Sequence, residues 1–285
     1  MRKQSSTMRP NPTLANTAEY AMVGRAQEVG MEKARYLEET YTVRFYEVDT
    51  QRRVTVPTIC NYLQEMADNH AFILGFAVDQ VLPKGLTWVL SRLHLRMKTY
   101  PCWRETLRIA TWPSEVRKLF AFRDYKLLNA QKEEIGHATS DWLLLDLNTM
   151  KPILIPDSIQ QNRATEHGRV FVAPTIKLPE LDRVEHEKIF QVRQSDLDIN
   201  QHVNNVSYIE WALETAPEEV RQTHQLTELQ VVFRAAGQYG DEVVSQSRLL
   251  EEGPHKAYLH RLQRKGDGKK MTDVKSIWAP TGITT

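Results

Sequence analysis

The amino-acid sequence predicts an α+β fold in which a long helix packs on an antiparallel sheet, and it predicts that this unit occurs twice. Strand-like segments dominate the first half of the chain, where a single segment has the apolar spacing of a long helix. The second half repeats this order of elements. One helix among several long strands, rather than a regular alternation of the two, is typical of an antiparallel α+β domain.

The elements of the first half follow from its local patterns. The helix is predicted over 57–75, because Pro57 suits a first turn, apolar residues recur at helical spacing, and Gly75 suits a helix end. Alternating or β-branched segments predict the strands, which are placed at 40–48, 87–98, 105–113, 120–129 and 137–147.

The second half has the same signals in the same order. A strand near 188–194 precedes a helix over 204–216, which Pro217 ends. Four further strands are predicted at 226–235, 242–250, 255–265 and 270–279. The last two are joined by Lys265-Gly266-Asp267-Gly268, which has the composition of a hairpin turn.

A direct self-comparison supports the duplication. A shift of 149 positions places residues 41–65 over residues 190–214 without a gap. The identical pairs are Val43/Val192, Arg44/Arg193, Asp49/Asp198, Val54/Val203 and Glu65/Glu214. Both windows read as strand, polar loop and helix, so we interpret them as copies of one domain. The polar cluster is complete only in the second copy, because Gln51 and Arg53 stand where that copy has Asn200 and His202.

Composition limits the class of protein. The chain has 285 residues, a length typical of two domains, and its net charge of +1 gives no support for binding to nucleic acid. No apolar run is long enough to predict a membrane span. Two cysteines without metal or disulfide spacing favour a reducing compartment, so a cytoplasmic location is expected. A plastid is the alternative if residues 1–37 are a transit peptide.

The predicted domain boundaries follow from changes in polarity. Residues 1–37 are predicted to be a disordered N-terminal extension, since they are polar and lack periodicity until about Met31. The first domain is predicted over 38–157 and the second over 187–282. Between them, residues 158–186 combine prolines with many charges and are interpreted as the linker.

The stretch DLDINQHVNN places polar side chains at alternate positions directly before the second helix. Asp198, Asn200 and His202 could supply a carboxylate, an amide donor and an imidazole near the positive end of that helix. These groups suit attack of water on an ester or thioester. The structural alternative is that the aspartates form turns and that Asn204 or Asn205 caps the helix.

The sequence also resembles a known family. SDLDINQHVNNVSYIEWALE is similar to the signature of the fatty acyl-ACP thioesterases of plants and bacteria, and RFYEVDTQRRVTVPTICNYLQEMADNHA, GLTWVLSRLHLRMKTYPCWRETLRIATWP and DWLLLDLNTMKPILIP resemble other family blocks. The resemblance implies two tandem hot-dog domains, each a long helix wrapped by an antiparallel sheet. It implies hydrolysis of the thioester between a fatty acyl chain and acyl carrier protein (ACP) in fatty acid biosynthesis, without a metal or other cofactor.

The resemblance also assigns roles. Asp198, Asn200 and His202 would be catalytic, with Asn200 and His202 polarising the thioester or water and Asp198 orienting them. The first domain would supply much of the acyl-binding site. The family carries a catalytic glutamate in a later strand, and that position is Ala236 here.

Because alanine cannot take up a proton, three explanations stay open. Asp198 could act as the base, Glu228 or Glu242 could substitute for the glutamate, or turnover could be slow. An acyl-CoA thioesterase and a non-hydrolysing acyl-ACP or acyl-chain binding protein are therefore alternative functions. Acyl chain-length preference and the pairing of chains into a homodimer are not predicted by the sequence.

Overall fold

The computed structural model describes residues 35–171 and 177–281. Most of the predicted N-terminal extension, residues 1–34, and part of the predicted linker, residues 172–176, lie outside the described residues. The strands and helices of the first half are β1 (Leu37–Thr42), α1 (Val56–Leu74), α2 (Val78–Val81), β2 (Leu86–Met97), β3 (Thr106–Arg117), β4 (Phe120–Leu128), β5 (Glu134–Asp146), β6 (Lys151–Pro152) and α3 (Asp157–Gln160).

The second half repeats this plan with a shorter helix. Its elements are β7 (His186–Gln191), α4 (Asn205–Glu214), α5 (Glu218–Thr223), β8 (His224–Phe233), β9 (Glu242–Glu251), β10 (Lys256–Arg264) and β11 (Lys270–Pro280). Each element of the duplication therefore has a counterpart, and β1, α1 and β2–β5 correspond to β7, α4 and β8–β11.

All described strands belong to one antiparallel sheet in the order β1-β3-β4-β5-β2-β8-β11-β10-β9-β7, with β6 paired to β5. The two halves meet where residues 92–96 of β2 pair with residues 228–232 of β8. The predicted α+β class is confirmed, and each half has a helix against its part of the sheet.

Helix α1 begins and ends as its sequence predicts. Thr55 caps its N-terminus by accepting a hydrogen bond from the Thr58 amide, and Gly75 ends it with a left-handed φ of 86°. The face that packs on the sheet carries Ile59, Leu63 and Met66, all buried. These side chains belong to one apolar core that continues into the second half, so the halves are not separate hydrophobic units.

The strand predicted over 40–48 is shorter in the structure. It ends at Thr42, and Phe45–Glu47 form a 3-10 turn. The buried Glu47 carboxylate explains the turn, because it accepts a hydrogen bond from the Arg44 amide at 2.7 Å. Asp196 does the same for the Arg193 amide in the second half. Alternation of apolar residues in the sequence does not reveal such a side-chain-to-backbone bond.

Residues 169–171 of the predicted linker pack on the outer face of the first half of the sheet, while Glu180 and Asp182 pair with Arg261 and Arg248 of the second half. Arg169 donates to the carboxylates of Asp124 and Glu115 at 3.0 and 2.8 Å. The Phe171 ring stacks on His94 with a centroid distance of 3.8 Å. These contacts cover part of the outer face, while the helices pack on the inner face. Among the described residues, no helix is long and apolar enough to cross a membrane.

Candidate active site

The loop between β7 and α4 is held by the Asp198 side chain. Its Oδ1 atom accepts hydrogen bonds from the amides of Asn200 at 2.8 Å and His202 at 3.2 Å. The Asp198 amide in turn donates to the His202 carbonyl at 2.8 Å. Gln201, between them, adopts a left-handed φ of 60°. One carboxylate oxygen therefore fixes the backbone of both residues that were predicted to act with it.

The first half contains the same loop. Asp49 Oδ1 accepts from the amides of Gln51 at 2.8 Å and Arg53 at 2.9 Å, and Arg52 has a φ of 64°. Because Gln51 and Arg53 lack the chemistry of Asn200 and His202, this aspartate contact serves loop folding in both halves. In the first half the other oxygen, Asp49 Oδ2, lies 3.6 Å from Arg53 Nε. The loop geometry thus lets its second carboxylate oxygen reach the side chain four residues later.

The remaining polar residues of the stretch divide into structural and exposed groups. Asp196 is buried and holds its 3-10 turn, and Asn204 caps α4 by accepting from the Val206 amide at 2.9 Å. The cap considered as the structural alternative is therefore present at Asn204. Asn200 and His202 are exposed at the loop surface. Within the described residues, no cluster of three His, Cys, Asp or Glu side chains could hold a metal ion.

An apolar cleft lies beside the start of α4. It runs between α1, α4, β2 and β5, and Gln64 of α1 donates to the Asn204 side chain at 3.3 Å across it. Its free volume is about 10 Å³, room for roughly one water, so a long ligand requires the helices to move apart. The lining residues are Cys60, Leu63, Gln64, Leu90, Leu93, Tyr125, Ser140, Trp142, Asn205, Val206 and Ile209.

The loop that carries Ala236 lies directly against the His202 loop. The Val203 amide donates to the Gly237 carbonyl at 3.0 Å, and Ala236 is exposed next to it. Gly237 is packed so closely that an added Cβ would lie 2.7 Å from Met271 Cε and 3.0 Å from Val203 Cγ2. The structure therefore places position 236 at the candidate site, as the resemblance implies.

The corresponding loop of the first half has the same length and the same hydrogen bonds, at a shift of 136 positions. The Val54 amide donates to the Pro101 carbonyl at 2.9 Å, as the Val203 amide does to Gly237. The Arg104 amide donates to the Val43 carbonyl, as the Gly240 amide does to Val192. The Cys102 amide donates to the Glu105 side chain, as the Gln238 amide does to Asp241. By this match, Tyr100 is the counterpart of Ala236.

In the first half, large side chains close the duplicate site. Tyr100 donates to the Leu226 carbonyl at 2.8 Å, and burial raises the pKa of its hydroxyl, which stays a neutral donor. Arg53 donates to the Gln225 side chain at 3.0 Å, and Gln51 donates to the Gln222 carbonyl at 3.4 Å. The second half has Ala236, His202 and Asn200 at these three positions. His202 is exposed where Arg53 is half-buried, while Gln51 and Asn200 are both exposed. One copy is closed and the other is open.

Neither glutamate that was considered as a replacement base lies on the inner face. Glu228 precedes the core residue Leu229 on β8, so its side chain points to the outer face. There it is bonded to His94 and Arg96 at 2.8 Å each. Burial would raise the pKa of Glu228, but these bonds and one from Gln230 outweigh it and lower the pKa to about 2. Glu242, next to the core residue Val243, is exposed and pairs with Lys265. Glu228 is therefore engaged on the outer face, and Glu242 faces solvent.

The 136-position match is the signal that could have revealed the Tyr100 and Ala236 pair from sequence. The helical part of the second half is 13 residues shorter, so the shift falls from 149 to 136 between the helices and β8. A self-comparison at a single shift therefore loses the match beyond α4.

The duplicated fold has one open polar loop at an apolar cleft, and its similarity to known proteins identifies its class as the thioester hydrolases. The chain belongs to the acyl-ACP thioesterase family: residues 34–162 match the model of the acyl-ACP thioesterase N-terminal domain, and residues 180–280 match that of the C-terminal domain. The chain is 30% identical to oleoyl-acyl carrier protein thioesterase 1, chloroplastic, of Arabidopsis thaliana, over 93% of this chain and 81% of that protein.

Solved structures agree with this assignment. An acyl-ACP thioesterase from Bacteroides thetaiotaomicron superposes with a TM-score of 0.73 at 26% identity, over 87% of this chain and 99% of that one. The 12:0-ACP thioesterase from Umbellularia californica superposes with a TM-score of 0.75 at 22% identity, over 86% of this chain and 94% of that one, which supports the fold alone. The predicted pair of tandem hot-dog domains is confirmed.

Proposed function

We propose that this protein hydrolyses the thioester of fatty acyl-ACP and releases a free fatty acid and ACP. The observation that carries the proposal is the exposed Asn200 and His202 loop beside the apolar cleft at the start of α4. Its duplicate in the first half is closed by Tyr100 and Arg53. Membership of the acyl-ACP thioesterase family supports the choice of substrate.

The catalytic residues of the proposal are Asp198, Asn200 and His202. The acyl chain occupies the cleft, and the thioester carbonyl lies at the start of α4, where the helix dipole and the Asn200 amide stabilise the developing negative charge. His202 removes a proton from the attacking water. The water oxygen bonds to the carbonyl carbon, the carbon–sulfur bond breaks, and the proton passes to the thiolate of the phosphopantetheine arm.

Asp198 has two tasks in this mechanism. Its Oδ1 atom positions the loop backbone through the amides of Asn200 and His202. Its Oδ2 atom orients the imidazole and stabilises its protonated form, as the reach of Asp49 toward Arg53 in the first half indicates. The family glutamate is absent at position 236, so the pair of Asp198 and His202 carries the proton transfer.

Free thiol release from purified protein tests the proposal. Acyl-ACP and acyl-CoA substrates of several chain lengths are offered, and we expect release from acyl-ACP with kcat/KM well above that for acyl-CoA. Faster release from acyl-CoA would favour the acyl-CoA thioesterase alternative. Binding of acyl-ACP without release from any substrate would contradict the enzymatic proposal and favour a binding protein, for which Ala236 is the supporting observation.

The partner in this proposal is ACP, and the protein acts in the cytoplasm. A plastid location is the alternative, because the Arabidopsis relative is described as chloroplastic. Fluorescence microscopy of the tagged full-length chain distinguishes the two. Pairing into a homodimer stays open, and light scattering of the purified protein measures it.

A further inference from the structure

The equivalence of the two halves extends to a backbone carbonyl at the candidate site. Leu226 of β8 pairs with Trp278 beside a β-bulge, and Leu90 of β2 pairs with Trp142 beside a β-bulge. The two tryptophans make the same bond, since each indole donates to a serine two residues earlier, at 2.7 Å for Trp142 and 2.9 Å for Trp278. Leu90 is therefore the counterpart of Leu226.

In the first half, a hydroxyl occupies the space beside this carbonyl. The Tyr100 hydroxyl donates to the Leu226 carbonyl at 2.8 Å, and Asp49, Arg53 and Cys60 are close enough to affect its pKa. These three neighbours correspond, at the 149-position shift, to Asp198, His202 and Ile209. By this correspondence, the point equivalent to the Tyr100 hydroxyl lies between the proposed catalytic loop and the cleft in the second half.

The second half has the equivalent carbonyl without the donor, and Ala236 leaves unfilled the volume that the Tyr100 side chain takes up in the first half. Ala236 ends in a methyl group, which cannot donate a hydrogen bond to the Leu90 carbonyl. Leu90 and Ile209 both line the cleft, so a ligand in the cleft lies beside Leu90. A ligand hydroxyl at that point would make the bond that Tyr100 makes in the first half.

We infer that the preferred substrates are acyl chains that carry a hydroxyl on a carbon close to the thioester. The hydroxyl occupies the space beside Ala236 and donates to the Leu90 carbonyl. This inference rests on the proposed function, because the thioester must lie at the Asn200 and His202 loop for the hydroxyl to reach the carbonyl. Ala236 is then a specificity-determining residue.

The experiment compares acyl-ACP with 2-hydroxyacyl-ACP and 3-hydroxyacyl-ACP of the same chain length. A net hydrogen bond of ordinary strength predicts that kcat/KM for one hydroxylated substrate exceeds that for the plain chain by roughly three- to tenfold. In Ala236→Phe the ring fills the space that the Tyr100 ring fills in the first half, and this ratio falls to about one or below. In Ala236→Tyr the new hydroxyl bonds to the Leu90 carbonyl in place of the substrate, as Tyr100 bonds to Leu226, and the ratio again falls.

Ala235→Phe is the matched control, because it adds the same ring one position earlier, and its ratio stays at the wild-type value. The inference is overturned if neither hydroxylated substrate is preferred by the wild type, or if Ala236→Phe and Ala236→Tyr keep the preference. Release from plain acyl-ACP without such a preference leaves the proposed function intact. If no substrate is hydrolysed, the proposed function fails. Calorimetry then gives the dissociation constants of the hydroxylated and plain acyl-ACP, and their ratio replaces that of kcat/KM.

Discussion

At the scale of single residues, the duplication supplies an internal control for His202. His202 and Arg53 occupy the same position in the two loops, but Arg53 is bonded to Gln225 while His202 is exposed. We expect His202→Ala to lower kcat/KM by about 100-fold or more, as loss of a general base does. Thiol release measures this.

Arg53→Ala is the matched variant in the closed half, and we expect it to change kcat/KM much less. Its expected effect is on stability, because it removes the contact with Gln225. A comparable loss of activity in both variants would contradict the assignment of catalysis to the second half.

A second pair of variants separates the two tasks of Asp198. Asp198→Ala and Asp49→Ala each remove two hydrogen bonds to loop amides. We therefore expect similar losses of unfolding free energy, about 1–2 kcal/mol each. Only Asp198→Ala is expected to reduce kcat strongly, because only in the second half does a histidine follow the aspartate four residues later. Urea denaturation and thiol release measure the two effects, and equal activity in both variants would leave Asp198 with a loop-forming role alone.

At the scale of elements, the loop from 234 to 241 must approach the His202 loop closely. An added Cβ at Gly237 would lie 2.7 Å from Met271 Cε and 3.1 Å from the Tyr208 hydroxyl, which accepts from the Gly237 amide. We expect Gly237→Ala to lower the unfolding free energy by about 1–3 kcal/mol, the usual cost of overpacking. Thermal denaturation measures it.

Gly266→Ala is the control for this substitution, because nothing lies within 4 Å of the added Cβ in the hairpin turn between β10 and β11. We expect it to change the melting temperature little. Equal melting temperatures for the two variants would show that the loop has room to move away from Val203.

The secondary structure could be predicted from sequence because local signals act at each element. Pro57, Thr55 and Gly75 determine the limits of α1, and alternation determines the strands. The exceptions are the strands predicted over 40–48 and near 188–194, which end at Thr42 and Gln191. There a buried carboxylate bonds to the backbone and forms a 3-10 turn, which depends on one side chain rather than on a repeating pattern.

At the scale of the whole molecule, the two halves are joined through β2 and β8, and Glu228 bridges this junction. Its bonds to His94 and Arg96 of the other half contribute to the lowering of its pKa to about 2. Because the folded pKa lies below the ordinary value of 4.5, the ionised group stabilises the fold fully above that value. The stabilisation is lost as the pH falls from 4.5 toward 2.

Glu228→Gln should therefore lower stability at neutral pH and approach the wild type near pH 2. Unfolding free energies measured across this range check the expectation. Glu242→Gln is the control, because Glu242 and Lys265 form an exposed ion pair that contributes little to stability. Parallel pH profiles for wild type and Glu228→Gln would show that the junction does not depend on this carboxylate.

The sequence by itself determined the α+β class, the duplication and the polar stretch that contains Asp198, Asn200 and His202, because each is a local or repeated pattern. Only the tertiary structure decided which copy is open. That difference depends on Tyr100 and Arg53 contacting residues of the other half, about 126 and 172 positions away in the chain. Such contacts leave no local pattern, since they arise where β2 and β8 bring the halves together.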